Sequence, residues 1–144
     1  MNKIFVFGSN LSGKHGKGAA LYAYTNKGAI YGIGNGPMGQ SYAIPTKDEY
    51  LKPLALHRIN IYVQMFLEYA RMHSELEFQV TPIGCGLAGY TPEQIAPMFV
   101  NVPSNCELPK EFTIYSKGAK NGLSLDCCFR WWRGSFSCIR LLCN

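Results

Sequence analysis

The chain has no run of eighteen apolar residues, so no membrane span is expected. Its first residues lack a basic region followed by an apolar stretch and a small-residue cleavage site. No signal peptide is therefore expected, and a cytoplasmic protein is the default reading. Neither a C-x-x-C pair nor a zinc-type His spacing occurs, so no resident metal and no cofactor are expected. Of six cysteines, four (Cys127, Cys128, Cys138, Cys143) crowd into the last eighteen residues. Cys127 and Cys128 are adjacent, which suits neither a metal knuckle nor a disulfide between them, and reduced thiols are the expectation. Charge is sparse at 16%, and its net value of +5 is uneven. Residues 1–109 carry eight Lys/Arg against seven Asp/Glu, whereas residues 110–144 carry six against two. The near-neutral body argues against a nucleic-acid-binding protein read from net charge alone.

What is present suits one globular domain. At 144 residues the chain can bury a real core, and its 47% apolar content is ordinary. Residues 1–118 read as an α/β domain and 119–144 as an atypical Cys-, Trp- and Arg-rich tail that is not a domain of its own. Two readings of the tail stand: a basic, aromatic-interleaved appendage touching RNA or membrane, and a misread, loosely packed end. The abrupt change of composition favours the second. Removing 119–144 is then expected to leave ligand binding intact.

Along the chain, KIFVF (3–7) reads as a buried strand broken by Gly8, and 8–18 as a loop holding four glycines. AALYAYTN (19–26) reads as a short helix ending near Gly28. Residues 28–41 read as turns with one short strand, and SYAIPT (41–46) as a strand closed by Pro45. Between Pro53 and His73, Leu56, Ile59, Val63, Phe66, Leu67 and Ala70 recur at spacings of three and four, the apolar stripe of a helix. EFQVTPIG (77–84) reads as a buried strand. It ends in a second glycine loop, GCGLAGY (84–90). A helix follows, with Thr91 as N-cap, Pro92 at its first position and Gln94 completing a capping box. FTIY (112–115) reads as a last strand. Strands separated by helices imply an α/β fold with a mixed, partly parallel sheet, in which ligands sit beyond the strands' carboxyl ends.

The stretch from Gly8, G-S-N-L-S-G-K-H, falls one residue short of the phosphate loop G-x-x-x-x-G-K-[ST]. His15 stands where a magnesium-binding hydroxyl is required, and no apolar strand ends in the Asp that such a site also needs. An ATP site is therefore disfavoured. Two glycine loops, each between a strand and a helix start, point instead to a diphosphate held by backbone N–H groups and helix N-termini.

VFGSN followed by GKHGKGAALYA resembles the first signature of the macro domains. VTPIGCGLAGYTPEQIAPMF resembles their second signature, and IGCGL and SYAIPTK resemble the branch containing the terminal ADP-ribose protein glycohydrolase and the ADP-ribose 1″-phosphatases. The resemblance spans roughly residues 3–109, with three motifs in order. It implies a small three-layer α/β/α domain binding ADP-ribose, or an ADP-ribosylated substrate, in a cleft above the sheet. In the resemblance, Asn10 lies near the distal ribose. Gly16, Lys17, Gly18 and Ala19 wrap the distal ribose and phosphate. Gly84, Cys85, Gly86, Leu87, Ala88, Gly89 and Tyr90 supply the diphosphate loop. Lys47 matches the Lys that attacks the anomeric carbon. That branch places its partner Asp directly after GCGL, where this chain has Ala88.

Each residue also has a plainer reading. Lys47 is a nucleophile or phosphate contact, or a solvated lysine at a strand end. His15 is a general acid/base, or a surface loop histidine. Asn10 fixes ribose hydroxyls, or starts a turn. Lys14 meets phosphate, or faces water. Cys85 reads as packing in a tight loop rather than as a nucleophile. Tyr90 caps the ligand, or anchors the core. The function implied is binding of ADP-ribose with hydrolysis of an ADP-ribose derivative, or, in the alternative, a non-catalytic reader of ADP-ribosylated macromolecules. A monomer is expected, with nucleic acid entering only as a modified substrate.

Overall fold

The computed structural model describes residues 3–118; the tail readings and the four tail cysteines lie outside the described residues. In chain order the elements are β1 (Ile4–Asn10), α1 (Gly18–Asn26), β2 (Gly36–Met38), β3 (Ser41–Lys47), α2 (Leu56–Met72), β4 (Phe78–Val80), α3 (Pro92–Ile95) continued by a 3-10 turn (Ala96–Phe99), β5 (Cys106–Glu107) and α4 (Lys110–Gly118). They form a small three-layer α/β/α domain around a five-stranded sheet of order β2-β3-β1-β4-β5. Only β2 runs antiparallel to its neighbour.

Side-chain alternation along the central strand divides the core into two. Val6 of β1 joins Tyr42 and Ile44 of β3 and the α2 stripe, where Ile59, Val63, Phe66, Leu67 and Ala70 are fully buried. Phe7 points the other way, into a smaller cluster with Ala20, Ala23, Ala29, Met38 and Ala43 under α1. Burying each large side chain stabilises the fold by about 1.5–3 kcal/mol.

β1 does not break at Gly8. It stays paired with β3 through Gly8↔Ile44 and Ser9↔Pro45, then shifts register to bring Asn10 opposite Lys47. β3 likewise runs through Pro45 to Lys47. Its outer neighbour β2 pairs only as far as Ala43, so a proline beyond that point removes no ladder bond on that side. β4 is shorter than 77–84. Thr81 donates both its backbone N–H and its hydroxyl to Val6 O, at 3.0 and 2.7 Å, and the chain then turns away. The capping box forms as read, with Thr91 N–H donating to the Gln94 side chain at 3.0 Å. FTIY is not a strand: residues 112–115 belong to α4, and the sheet edge they would have taken is held by β5. Pro109 O accepts the Phe112 and Thr113 amides to start that helix, and Phe112 is fully buried against Phe99. No helix among the described residues is long and apolar enough to cross a membrane.

Candidate functional site

The carboxyl ends of β1, β3 and β4 open into one cleft of about 910 Å³, within the range of small-molecule sites. Gly8, Ser9 and Asn10 form its floor with Thr46 and Lys47; Gly16–Ala20 line one wall and Thr81–Ala88 the other. The two glycine loops, 68 residues apart from Gly16 to Gly84 in sequence, therefore face each other across this space. The parallel pairing of β1 with β3 and β4 is what brings them together.

Both walls present bare backbone. α1 begins at Gly18 with no side-chain cap on Lys17 and no acidic residue in its first turn, so its first N–H groups are open to an anion. Neither the amides of Gly16–Ala20 nor those of Gly86, Leu87 and Ala88 take an acceptor among the described residues. The glycines themselves discriminate between fold and ligand. Gly13 has φ +67°, and a Cβ there would fall 2.3 Å from Ile33 N; at Gly34 a Cβ would fall 1.8 Å from Asn10 O. The fold requires both. At Gly16 and Gly86, φ is ordinary and a Cβ would meet nothing within 4 Å. The fold does not require glycine at either position, and both leave bare backbone along the cleft.

The candidate residues divide into two groups. Asn10, Lys47, Gly16, Lys17, Gly18, Ala19, Gly84, Cys85, Gly86, Leu87 and Ala88 all line the cleft. His15, Gly89 and Tyr90 do not. Tyr90 anchors its loop by donating its hydroxyl to Leu54 O, the core-anchor role. His15 is a correction: it is neither on the surface nor in the cleft, but 1% exposed. Its Nε2 lies 3.0 Å from both Ile30 O and Ile33 O, and Phe7 and Tyr31 meet its ring edge-on. The two facing carbonyls require a hydrogen on Nε2, so His15 is a bracket between the first glycine loop and residues 30–33. Asn10 also does the turn-forming work: its Oδ1 accepts from Lys14 N and Ser12 Oγ, both at 2.9 Å, and its Nδ2 donates to Lys14 O at 2.8 Å. It shapes the loop while bordering the cleft.

Cys85 is poorly suited to nucleophilic attack. Burial first, and then the nearby Glu111 carboxylate, push its thiol above the ordinary range. Glu111, which lies just before the FTIY stretch and carries no local signal in the sequence, reaches the cleft from α4; it is the one carboxylate of the cleft lining among the described residues. Tyr31 and Leu51 were also missed. Leu51 sits at the rim with φ +66°, a conformation that a branched side chain adopts only when its surroundings hold it. Its Asp48–Lys52 turn does so, with Asp48 Oδ1 accepting the Tyr50 and Lys52 amides at 2.9 Å. Among the described residues no group of His, Cys, Asp and Glu could hold a metal ion. No family model, curated protein or solved structure matches the chain.

Proposed function

We propose that this cleft binds ADP-ribose or a closely related ribose-diphosphate ligand, as its macro-domain-like motifs imply. The supporting observation is the pair of facing walls with unsatisfied amides, kept bare by two glycines that the fold does not need. Amides fixed in this way bind a diphosphate without reorganising. Lys14, Lys17 and Lys47 line the same space and add positive charge. In the enzymatic form of the proposal, water or the Lys47 amine attacks C1″ of the distal ribose, or water removes a terminal 1″-phosphate. In attack at C1″ the group bonded there departs with its electron pair, and water then hydrolyses any Lys47–ribose bond to regenerate the amine; in attack at phosphorus the ADP-ribose oxygen departs with the P–O electron pair and takes up a proton.

Ala88 at the Asp position and the burial of His15 favour a second reading, a module that binds the ligand without hydrolysing it. Calorimetric titration with ADP-ribose, with ADP and ATP as controls, tests the shared claim. Selective ADP-ribose binding that disappears in Gly86→Glu supports it; absence of binding to the native chain overturns it.

A further inference from the structure

The layer of the molecule that carries α1 is built from one acid-free stretch of sequence. Its core, Phe7, Ala20, Ala23, Ala29, Met38 and Ala43, comes wholly from residues before Asp48, the first acidic residue of the chain. The cations in that stretch are Lys3, Lys14, Lys17, Lys27 and Lys47. The two ion pairs among the described residues, Lys3–Glu107 and Arg71–Glu68, leave Lys14, Lys17 and Lys27 without a carboxylate partner. The near-neutral net charge of the body thus conceals a 47-residue stretch that carries five lysines and no carboxylate, although Glu111 of α4 lines the cleft beside Lys14 and Lys17.

This layer also wears its aromatics outside. α1 turns its alanines inward and leaves Leu21, Tyr22 and Tyr24 41–48% exposed, the reverse of what maximal apolar burial selects. The adjoining loop adds Tyr31, at 56% exposure. Tyr31 and Tyr24 meet edge-on with centroids 6.0 Å apart. Tyr31 is itself braced by His15 at 6.1 Å, and His15 by the fully buried Phe7 at 5.5 Å. A ladder of rings therefore runs from the core to the surface and holds Tyr31 and Tyr24 in place before anything binds. Along α1, Leu21 and Tyr24 stand three residues apart on one side of the helix, and Lys17 is the residue that caps its start. Lys17 and Tyr31 also line the cleft, so the ridge continues from its mouth.

We propose that the Tyr31–Tyr24 ridge is a docking surface for single-stranded nucleic acid, with bases on the two rings and phosphates toward Lys14, Lys17 and Lys27. Pre-set rings beside unpaired cations are what sequence-tolerant strand binding uses. An acidic peptide would satisfy the lysines and leave the exposed rings without stacking partners. Lys14, Lys17 and Tyr31 border both this surface and the cleft, but the proposal does not depend on the diphosphate reading, because the strand needs no ADP-ribose to bind.

The test is fluorescence anisotropy of the full chain with an unmodified single-stranded oligothymidine, at several salt concentrations. Binding should weaken with salt, and Lys17→Gln should reduce the magnitude of the log–log slope by about 0.7. Tyr24→Ser should weaken binding roughly tenfold, and Tyr24→Ser/Tyr31→Ser further, while Tyr24→Ser leaves the calorimetric response to ADP-ribose unchanged. Circular dichroism of each variant confirms that it is folded; a variant that is not is replaced by Tyr24→Leu, which keeps the bulk and removes most of the stacking. Three results would overturn the proposal: no oligonucleotide binding, binding insensitive to both tyrosines (which would place it on the tail), or equal tyrosine-dependent binding of a polyglutamate peptide. Loss of ADP-ribose binding in the native chain would defeat the reading of the cleft and leave this one standing.

Discussion

Asn10 and Lys47 lie side by side at the carboxyl ends of the two central parallel strands, paired across a register shift that begins at Ser9. The Leu11 amide donates to Lys47 O at 3.0 Å, so the first glycine loop leaves the sheet tied to the residue that carries the candidate nucleophile. Both side chains border the same cleft. Under the enzymatic proposal, Lys47→Gln should abolish release of ADP-ribose from an ADP-ribosylated substrate while weakening ADP-ribose binding by about ten- to a hundredfold, the scale of one charged hydrogen bond. Full turnover in Lys47→Gln would remove the lysine from the chemistry. Binding without turnover in the native chain would leave the reader module.

The glycines should separate into two classes when substituted. Gly34→Ala forces a Cβ onto Asn10 O and should destabilise the protein by more than about 2 kcal/mol, measured by urea unfolding. Gly86→Glu places its side chain in open space, so the unfolding midpoint should stay close to that of the native chain while the diphosphate site is blocked. If Gly86→Glu unfolds as readily as Gly34→Ala, the distinction between fold-required and ligand-required glycines is wrong.

His15→Ala should cost stability before it affects any chemistry. It removes a fully buried ring and strips the Ile30 and Ile33 carbonyls of their shared donor. About 2–4 kcal/mol is expected, read as a shift in the denaturation midpoint. Residues 28–33 should lose hydrogen-exchange protection together with the loop at 13–16. A variant as stable as the native chain would show that the bracket holds nothing.

The thiols give a pH-dependent prediction. Burial pushes the Cys106 thiol up to about 12, only partly offset by Arg71, and burial with Glu111 raises that of Cys85. Each thiol is therefore held protonated over pH values at which an ordinary cysteine has become thiolate. Iodoacetamide labelling followed peptide by peptide should be slow for both at pH 8, with rates still rising above pH 9.5, where a free thiol levels off. Because the folded state favours the neutral thiols, it should also lose stability as alkaline pH ionises them in the unfolded chain. Labelling of Cys85 at the rate of a free thiol would reopen it as a nucleophile.

Local chemistry fixed a good part of this protein. The spacing of Leu56 to Ala70 specified a helix because an apolar stripe must face a core, and Thr91-Pro92-x-Gln94 specified a helix start because those groups close on one another within a single turn. The bare glycine stretches marked backbone that would otherwise need side chains. Other features depended on distant partners. FTIY became a helix because β5 already filled the sheet edge and Phe112 had Phe99 to bury against. Pro45 stayed in a strand because its outer side is unpaired. Whether a loop histidine faces ligand, water or core depends on carbonyls fifteen and eighteen residues further along, and His15 went to the core. The cleft and the acid-free aromatic ridge belong to the same class. Their residues were all visible in the chain, but only the parallel pairing of β1 with β3 and β4 brought the two bare loops to one end of the sheet and left α1, with its alanines turned inward, covering one face.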